Sequence, residues 1–309
     1  MEKNIENLKV AIVGLGAVGA VVAENLSNVL GNNLFCVLNK ERLQKYEENG
    51  IFVNGKKLNL NFCAAENVPV CDYVILATKN LQTQEALLEV KNAVDSNTAI
   101  LSLLNGIQSE KEIESTFSPQ NALYGFILNL TSVNLNGRIE AASRGKIVFG
   151  EKDNSKSSRI EILRKLFEEA KIDYFIPEDI HLEMWKKFLV NCTFNSLGAI
   201  MNSPYGGWRF EENQILARKI GLEVISVANA YGIQLTEKML EDDIKQNCIF
   251  DPKSKCSMVQ DFEAFRKTEN DFFLGTIINL AKEKGISVVY SEFLYLLING
   301  AQNAWQFRK

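Results

Sequence analysis

This chain of 309 residues has one histidine and six cysteines, the residue types that often form metal sites, acid–base pairs and disulfides. A single histidine, His181, excludes zinc sites built on several histidines and leaves histidine-based acid–base catalysis to one residue. The six cysteines contain no C-x-x-C pair, and we expect no metal site. Scattered cysteines in a chain of this length predict no disulfide framework and fit a reducing cytoplasm. A general acid in this chain is therefore expected to be a lysine, a glutamate or an aspartate.

A strong charge of one sign and a long apolar run are also missing. The 34 Lys and Arg residues against 38 Asp and Glu residues give a net charge of −4, so we expect no nucleic-acid partner. No apolar run approaches the roughly 20 residues that span a bilayer, and the opening MEKNIENLKV lacks the apolar segment of a signal peptide. These absences predict a cytoplasmic protein without a membrane partner.

Short apolar runs alternate with helix-like segments in the first half of the chain. Such alternation predicts βαβ units and a parallel sheet. Asn54-Gly55 predicts a hairpin turn within residues 51–62. Asn136-Gly137 and Arg144-Gly145 predict turns in a mixed or antiparallel extension at 122–150. The predicted strands are 9–13, 34–38, 73–77 and 99–103, and the predicted helices are 17–30, 40–48, 83–93 and 158–170.

Long helical patterns with few glycines or prolines follow residue 176. The predicted fold class is therefore α/β, with a Rossmann-type parallel-sheet domain at 1–175 and an all-α domain at 176–309. The last helix carries an apolar run at 293–298, which we interpret as core with a homodimer face as the alternative. The predicted helices of this domain are 180–201, 211–231, 237–247, 261–284 and 291–307.

A glycine-rich loop joins the first predicted strand to the first predicted helix. Its sequence is Gly14-Leu15-Gly16-Ala17-Val18-Gly19, a G-x-G-x-x-G pattern. Gly14 permits the tight turn, Gly16 lets a pyrophosphate approach the backbone, and Gly19 allows close helix–strand packing. The helix N-terminus would present free N–H groups to the phosphates. The loop predicts a dinucleotide site, and a plain glycine-rich turn is the alternative.

The end of the second predicted strand bears on the choice of cofactor. NAD sites usually carry an acidic residue about 20 residues beyond the loop, and Asn39 stands there instead. Lys40 and Arg42 follow and would suit a 2′-phosphate, so NADP(H) is favoured. Glu41 between them opposes this interpretation, and solvated charges at a helix start are the alternative.

A polar stripe marks the first helix of the second domain. Lys187, Asn191 and Asn195 are spaced four residues apart among apolar neighbours, which would place them on one face of a largely buried helix. Burial would lower the pKa of Lys187 and suit it to act as a general acid. A surface lysine beside structural amides is the alternative.

Four other residues are candidate site residues, and two of them, Ser257 and Glu269, also have a structural interpretation. Ser257 with Gln260 three residues later reads as a helix capping box, and Glu269 reads as part of a solvated face. Lys79 and Asn105 each follow a predicted strand, and ligands bind at the carboxyl ends of strands in open α/β sheets.

Taken together, these residues resemble the ketopantoate reductase (2-dehydropantoate 2-reductase) family. The resemblance runs in order through nearly the whole chain. It rests on the glycine loop, Thr78-Lys79, Leu104-Asn105-Gly106-Ile107, Trp185-x-Lys187-x-x-x-Asn191-x-x-x-Asn195, Ser257-Met258-x-Gln260-Asp261 and Arg266-x-Thr268-Glu269.

The resemblance implies a Rossmann domain, a helical domain and an active site in the cleft between them. It implies reduction of a branched 2-oxo acid by NADPH, giving pantoate for pantothenate and coenzyme A synthesis. Asn39 departs from the family, in which many members have an arginine there. Reduction of another 2-oxo acid and a non-catalytic NADP-binding sensor are the alternatives.

The resemblance also implies a role for each polar residue. Lys187 would protonate the carbonyl oxygen, and Glu269 would hold the substrate hydroxyl and orient Lys187. Asn191, Asn195 and Ser257 would bind the substrate. Ser257 would bind the carboxylate group of the substrate. Lys79 and Asn105 would lie where cofactor and substrate meet.

Overall fold

The structure, a computed structural model, describes residues 4–135 and 137–307. The chain divides into two compact units, Met1–Ile180 and His181–Lys309. Within the described ranges, no helix is both long and apolar enough to cross a membrane. The same ranges contain no cluster of three or more His, Cys, Asp or Glu side chains that could hold a metal ion.

Unit 1 is an α/β unit in which helices connect and flank the strands of a sheet. Its described residues form ten strands and five α-helices. The strands are β1 (Val10–Val13), β2 (Leu34–Leu38), β3 (Phe52–Val53), β4 (Lys56–Lys57), β5 (Asn61–Ala64), β6 (Tyr73–Leu76), β7 (Ala99–Ser102), β8 (Ala122–Leu135), β9 (Arg138–Gly150) and β10 (Tyr174–Phe175); the helices are α1 (Ala17–Leu30), α2 (Lys40–Asn49), α3 (Thr83–Glu89), α4 (Ser109–Thr116) and α5 (Ser158–Glu169).

The predicted parallel sheet is confirmed. The strands run β4-β3-β9-β8-β7-β6-β1-β2-β5, and every neighbouring pair from β8 to β5 is parallel. Each residue of β1, β6 and β7 is buried. Parallel strands covered on both faces are mainly apolar, which is why these strands form short and nearly continuous apolar runs in the sequence.

An antiparallel pair, β8 with β9, extends this sheet on the far side of β7. The prediction of a turn at Arg144-Gly145 is wrong, because both residues lie inside β9. Gly145 has a φ of +71°, and a Cβ there would lie 2.7 Å from the carbonyl oxygen of Leu128, so the glycine serves a distorted strand position. The Asn54-Gly55 hairpin is confirmed, whereas Asn136 of the other predicted turn lies outside the described residues.

Unit 2 has only helical regular elements within its described residues. The predicted helix at 180–201 is interrupted by a π-helical turn, Asn191–Asn195. The predicted single helix at 261–284 is wrong, since residues 264–273 are not helical. The helices, the first of which begins at the last residue of unit 1, are α6 (Ile180–Val190), α7 (Ser196–Met201), α8 (Glu211–Ala230), α9 (Glu237–Ile249), α10 (Ser257–Glu263), α11 (Leu274–Lys284) and α12 (Val289–Asn303).

Candidate active site

The three glycines of the β1–α1 loop differ in whether the fold has room for a side chain at their positions. Gly14 has a φ of +90°, and a Cβ there would lie 2.7 Å from the carbonyl carbon and oxygen of Ala77. A Cβ on Gly19 would lie 1.9 Å from the carbonyl oxygen of Gly14. A Cβ on Gly16 would meet nothing within 4 Å. The fold itself therefore requires Gly14 and Gly19, whereas Gly16 leaves open space beside the backbone.

The N-terminus of α1 fits the pyrophosphate of a dinucleotide. Its N-cap is Gly16, no side chain caps it, and its first turn carries no acidic residue. No side-chain cap or first-turn carboxylate therefore competes with an anion for the first N–H groups of this helix. The side chain of Thr78 lies beside Gly14, and its buried hydroxyl has no hydrogen-bond partner within the described residues. A buried hydroxyl without a partner fits contact with a bound molecule, and we had not predicted Thr78 as a site residue.

The loops after β6 and β7 are joined by a hydrogen bond. Asn80, which is buried, donates from Nδ2 to the carbonyl oxygen of Asn105 at 2.9 Å. Lys79 precedes Asn80, so this bond brings the segments of Lys79 and Asn105 together at the carboxyl edge of the sheet. Asn80 is a positioning residue that the sequence did not reveal, since its partner lies 25 residues away.

The residues after β2 are flanked by carboxylates from other elements. Asn39 caps α2, its Oδ1 accepting a hydrogen bond from the N–H of Arg42 at 3.0 Å. The Lys40 ammonium lies 3.7 Å from Glu66. Burial raises the pKa of Glu89, whereas Arg42 and a hydrogen bond from Asn39 act in the opposite direction. Both predicted phosphate-binding cations therefore have an acidic neighbour.

The predicted polar stripe of unit 2 runs into the π-helical turn. Asn195 Nδ2 donates to Asn191 Oδ1 at 3.0 Å, so the structure brings the two amides together. Asn191 is buried, and its Nδ2 has no hydrogen-bond partner within the described residues. A buried donor without an acceptor is costly, and π-turns often occur at functional sites. The amide of Asn191 therefore suits an oxygen atom of a bound molecule.

Ser257 does not form the predicted capping box. Cys256 occupies the N-cap of α10 and Ser257 is the first helical residue, where its side chain is exposed. Gln260 Nε2 donates instead to the carbonyl oxygen of Lys255 at 3.1 Å. Helix capping therefore does not explain the serine at position 257, and this residue lies at the surface.

Close packing brings the start of α10 next to the asparagine pair. A Cβ on Gly198 of α7 would lie 3.2 Å from Val259 Cγ2 of α10, so the glycine allows the two helices to approach. Cys256 and Asn195 line the same narrow crevice, together with Gly198. The segment that carries Ser257 therefore lies beside Asn195.

Aromatic packing joins the segments that carry Lys187 and Glu269. Lys187 is half-buried on α6, and the ring of Phe188 meets that of Phe273 edge-on, with centroids 6.4 Å apart. The carbonyl oxygen of Glu269 accepts hydrogen bonds from Phe272 N–H and Phe273 N–H at 2.9 and 3.0 Å. Glu269 is thus part of a hydrogen-bonded turn that packs on the helix of Lys187.

Family models account for most of the chain. The model described as ketopantoate reductase PanE/ApbA matches residues 10–154, and the one for its C-terminal part matches residues 179–302. The chain belongs to the ketopantoate reductase family. Family membership assigns it to the oxidoreductases that act on 2-oxo acids.

Relatives of this ketopantoate reductase family member cover almost its full length. It is 27% identical to the 2-dehydropantoate 2-reductase of Pyrococcus horikoshii over 96% of this chain and 98% of the relative. The crystal structure of 2-dehydropantoate 2-reductase from Geobacter metallireducens superposes with a TM-score of 0.83 at 25% identity, covering 95% of this chain and 100% of that one. A D-mandelate dehydrogenase solved with NADH and anilino(oxo)acetate gives a TM-score of 0.86 at 25% identity, covering 97% and 100%.

Proposed function

We propose that this protein reduces 2-dehydropantoate (ketopantoate) to pantoate with NADPH in the cytoplasm, as a step toward pantothenate and coenzyme A. The observation that carries the proposal is the buried Asn191 amide, which lacks an acceptor one turn after Lys187. An amide donor and an ammonium at this spacing suit a small acid with several oxygen atoms. A non-catalytic sensor would not need this polar set.

Unit 1 supplies the proposed cofactor site. The N–H groups at the start of α1 would bind the pyrophosphate, and Gly16 would leave room for it. The Thr78 hydroxyl, Lys79 and Asn105 would contact the cofactor and the bound acid at the carboxyl edge of the sheet. The nicotinamide, when bound, supplies the hydride that reduces the ketone.

Unit 2 supplies the proposed acid catalyst and substrate contacts. Negative charge develops on the carbonyl oxygen as the ketone is reduced, and the Lys187 ammonium would stabilise that charge and donate its proton to the same oxygen. Glu269 would accept a hydrogen bond from the substrate hydroxyl and orient Lys187. Asn191 and Asn195 would donate to substrate oxygen atoms, and the Ser257 hydroxyl would donate to the carboxylate.

A second candidate is an NADH-dependent reductase of a different 2-oxo acid. Lys40 and Arg42 favour the 2′-phosphate of NADPH, but Glu66 and Glu89 are neighbours of these cations. Carboxylates repel a phosphate and accept hydrogen bonds from an unmodified ribose hydroxyl. This observation favours NADH, the cofactor in the D-mandelate dehydrogenase complex.

The deciding experiment measures oxidation of NADPH and of NADH, by the loss of reduced-nicotinamide absorbance, with ketopantoate and with other branched and aromatic 2-oxo acids. Rapid NADPH oxidation with ketopantoate would support the first candidate. A preference for NADH and another acid would support the second. Cofactor binding without oxidation of any acid would contradict both and favour a sensor.

Replacement of the proposed acid tests the mechanism. Lys187→Ala is expected to lower kcat by about 100-fold or more, since positioned acids contribute on the order of 10²–10⁴. Cofactor affinity, measured by titration calorimetry, should stay unchanged. The matched control is Lys186→Ala, which removes the neighbouring lysine that pairs with Glu183 at 2.8 Å and should keep full turnover. Equal turnover of both variants would refute the role of Lys187.

A further inference from the structure

The turn that carries Glu269 is bordered on both sides by buried residues. Thr268 and Asn270, its two neighbours in the chain, are each 1% exposed, whereas Glu269 itself is half-buried. The surrounding segment, residues 264–273, is not helical, so its polar groups must find partners elsewhere in the fold. Side chains of α12 supply several of these partners, and α12 therefore bears directly on the conformation of this turn.

One face of α12 carries three polar side chains. Tyr295, Asn299 and Gln302 follow at intervals of four and three residues, which aligns them along the helix. Each of the three is half-buried. We call these three residues the α12 clamp, because each of them bonds to the turn that carries Glu269.

Gln302 holds the chain just before Glu269. Its Oε1 accepts a hydrogen bond from the Thr268 N–H at 2.8 Å and another from the Thr268 hydroxyl at 3.2 Å. Because Thr268 is buried, water cannot replace this acceptor unless the turn opens. A single side-chain oxygen therefore satisfies both donors of the residue before Glu269.

Asn299 and Tyr295 hold the chain just after Glu269. Asn270 Nδ2 donates to Asn299 Oδ1 at 2.9 Å and to the carbonyl oxygen of Tyr295 at 3.1 Å. The Tyr295 hydroxyl donates to Asp271 Oδ1 at 2.9 Å. The two residues after Glu269 are therefore bonded to α12 as firmly as the residue before it.

A further hydrogen bond joins the two ends of the clamp. Gln302 Nε2 donates to Asn299 Oδ1 at 3.3 Å, the same oxygen that accepts from Asn270. The contacts before and after Glu269 are therefore parts of one network, and hydrogen bonds in such a network are not independent. Loss of one member is expected to loosen the whole turn.

The segment before the turn adopts a costly backbone conformation. Phe265 has a φ of +53°, in the left-handed region that bulky residues rarely adopt. The rings of Phe262 and Phe265 meet the ring of Trp305 edge-on, with centroids 5.0 and 5.6 Å apart. Such conformations persist only where surrounding contacts fix them, and they cluster at functional sites. An uninterrupted helix, which the sequence pattern at 261–284 favours, would avoid this cost, so the break indicates a purpose for the Glu269 turn.

We propose that the α12 clamp positions Glu269 for the reaction, and that Gln302 is the member whose loss has the largest effect. This inference rests on the role of Glu269 in the proposed function. Contact with the substrate hydroxyl and orientation of Lys187 both require a fixed backbone at Glu269, since a misplacement of about 1 Å can cost on the order of 100-fold in rate. The clamp acts through Glu269, so its members are positioning residues.

Replacement of Gln302 tests the proposal in the full-length protein, with NADPH and ketopantoate or with the pair that the wild type oxidises fastest. Gln302→Met keeps the length of the side chain and removes the acceptor for Thr268. Its kcat is expected to fall about tenfold or more, while the cofactor Kd stays unchanged. Gln302→Glu offers Thr268 an acceptor oxygen again and should keep most of the wild-type kcat.

The matched control is Asn303→Met, which makes a similar replacement at the next residue of α12, where the side chain is exposed. It should keep full turnover. A wild-type kcat for Gln302→Met, or an equal loss in Gln302→Glu, would overturn the proposal.

A double-mutant cycle with Glu269→Gln shows whether the clamp acts through Glu269. Glu269→Gln alone should lower kcat on the order of tenfold to 100-fold. Addition of Gln302→Met to this variant should change kcat by less than about twofold, because the residue that the clamp positions is already lost. A full second loss would overturn the proposal and leave the role of Glu269 intact. A wild-type kcat for Glu269→Gln alone would instead refute the role of Glu269 in the proposed function, and the clamp proposal with it.

Tyr295→Phe is a milder variant that keeps the test valid if Gln302→Met does not fold. It removes only the hydroxyl that bonds to Asp271, and its kcat should fall about threefold or more. Tyr290→Phe, which removes a hydroxyl from the start of the same helix, is its control and should match the wild type. Equal kcat values for the two tyrosine variants would overturn the proposal.

Discussion

The buried carboxyl group of Glu110 makes the stability of unit 1 depend on pH. Glu110 lies in the first turn of α4 and is 1% exposed. Burial raises its pKa to about 7 from an ordinary value of 4.5, although the backbone of Glu110 and Gly125 and the hydroxyl of Ser109 act against this rise. The folded protein therefore holds a proton that the unfolded chain releases between these two values.

The magnitude follows from linkage between protonation and folding. Below pH 4.5 both states are protonated, and Glu110 imposes no ionisation penalty on the fold. The free energy of unfolding falls as the pH rises between the two pKa values, and above pH 7 the full penalty applies. A difference of about 2.5 pKa units corresponds to roughly 3 kcal/mol at pH 8, against about 1 kcal/mol at pH 5.

Glu110→Gln removes the ionisation and keeps a polar side chain of similar size. We expect its free energy of unfolding, relative to wild type, to increase by roughly 2.5 kcal/mol between pH 5 and pH 8. Because the comparison is between two pH values, the fixed effect of burying an amide cancels.

Urea unfolding followed by far-ultraviolet circular dichroism provides the measurement. Tryptophan fluorescence is unsuitable, since Trp185, Trp208 and Trp305 all lie in unit 2. Glu47→Gln, on the exposed surface of α2, is the control and should show no such difference. If Glu110→Gln and wild type differ by the same amount at both pH values, the reasoning about Glu110 fails.

Two further predictions concern the candidate active site. Gly16→Ala should weaken dinucleotide binding while the Tm stays unchanged, whereas Gly19→Ala should lower the Tm by several degrees, because its Cβ would lie 1.9 Å from Gly14 O. Calorimetric titration measures the binding and thermal melting measures the Tm. A lower Tm for Gly16→Ala would contradict the assignment. Asn191→Ala should raise KM for the 2-oxo acid about tenfold to 100-fold without changing the cofactor Kd, and steady-state kinetics that show weaker cofactor binding instead would argue against a substrate contact.

Features that depend on local sequence were predictable. The bounds of α1 and β2 agree with the prediction, because a strand buried on both faces and a helix packed on one face each leave a distinct apolar spacing. The loop from Gly14 to Gly19 was predictable for the same reason, since the positive φ of Gly14 and the close approach at Gly19 concern residues that are near in the chain. Family resemblance then suggested roles for Lys187 and Glu269.

Features that depend on contacts between distant residues were not predictable. The non-helical segment at 264–273 interrupts a helical pattern because Thr268 and Asn270 bond to α12, at Gln302 and Asn299. Glu89 lies beside Asn39 only because α3 packs near the end of β2. The sequence by itself determined the alternation of strands and helices from β1 to β7 and the glycine loop, through local spacing. Only the tertiary structure decided which polar groups are buried, paired or left without a partner, because burial and pairing are set by residues far apart in the chain.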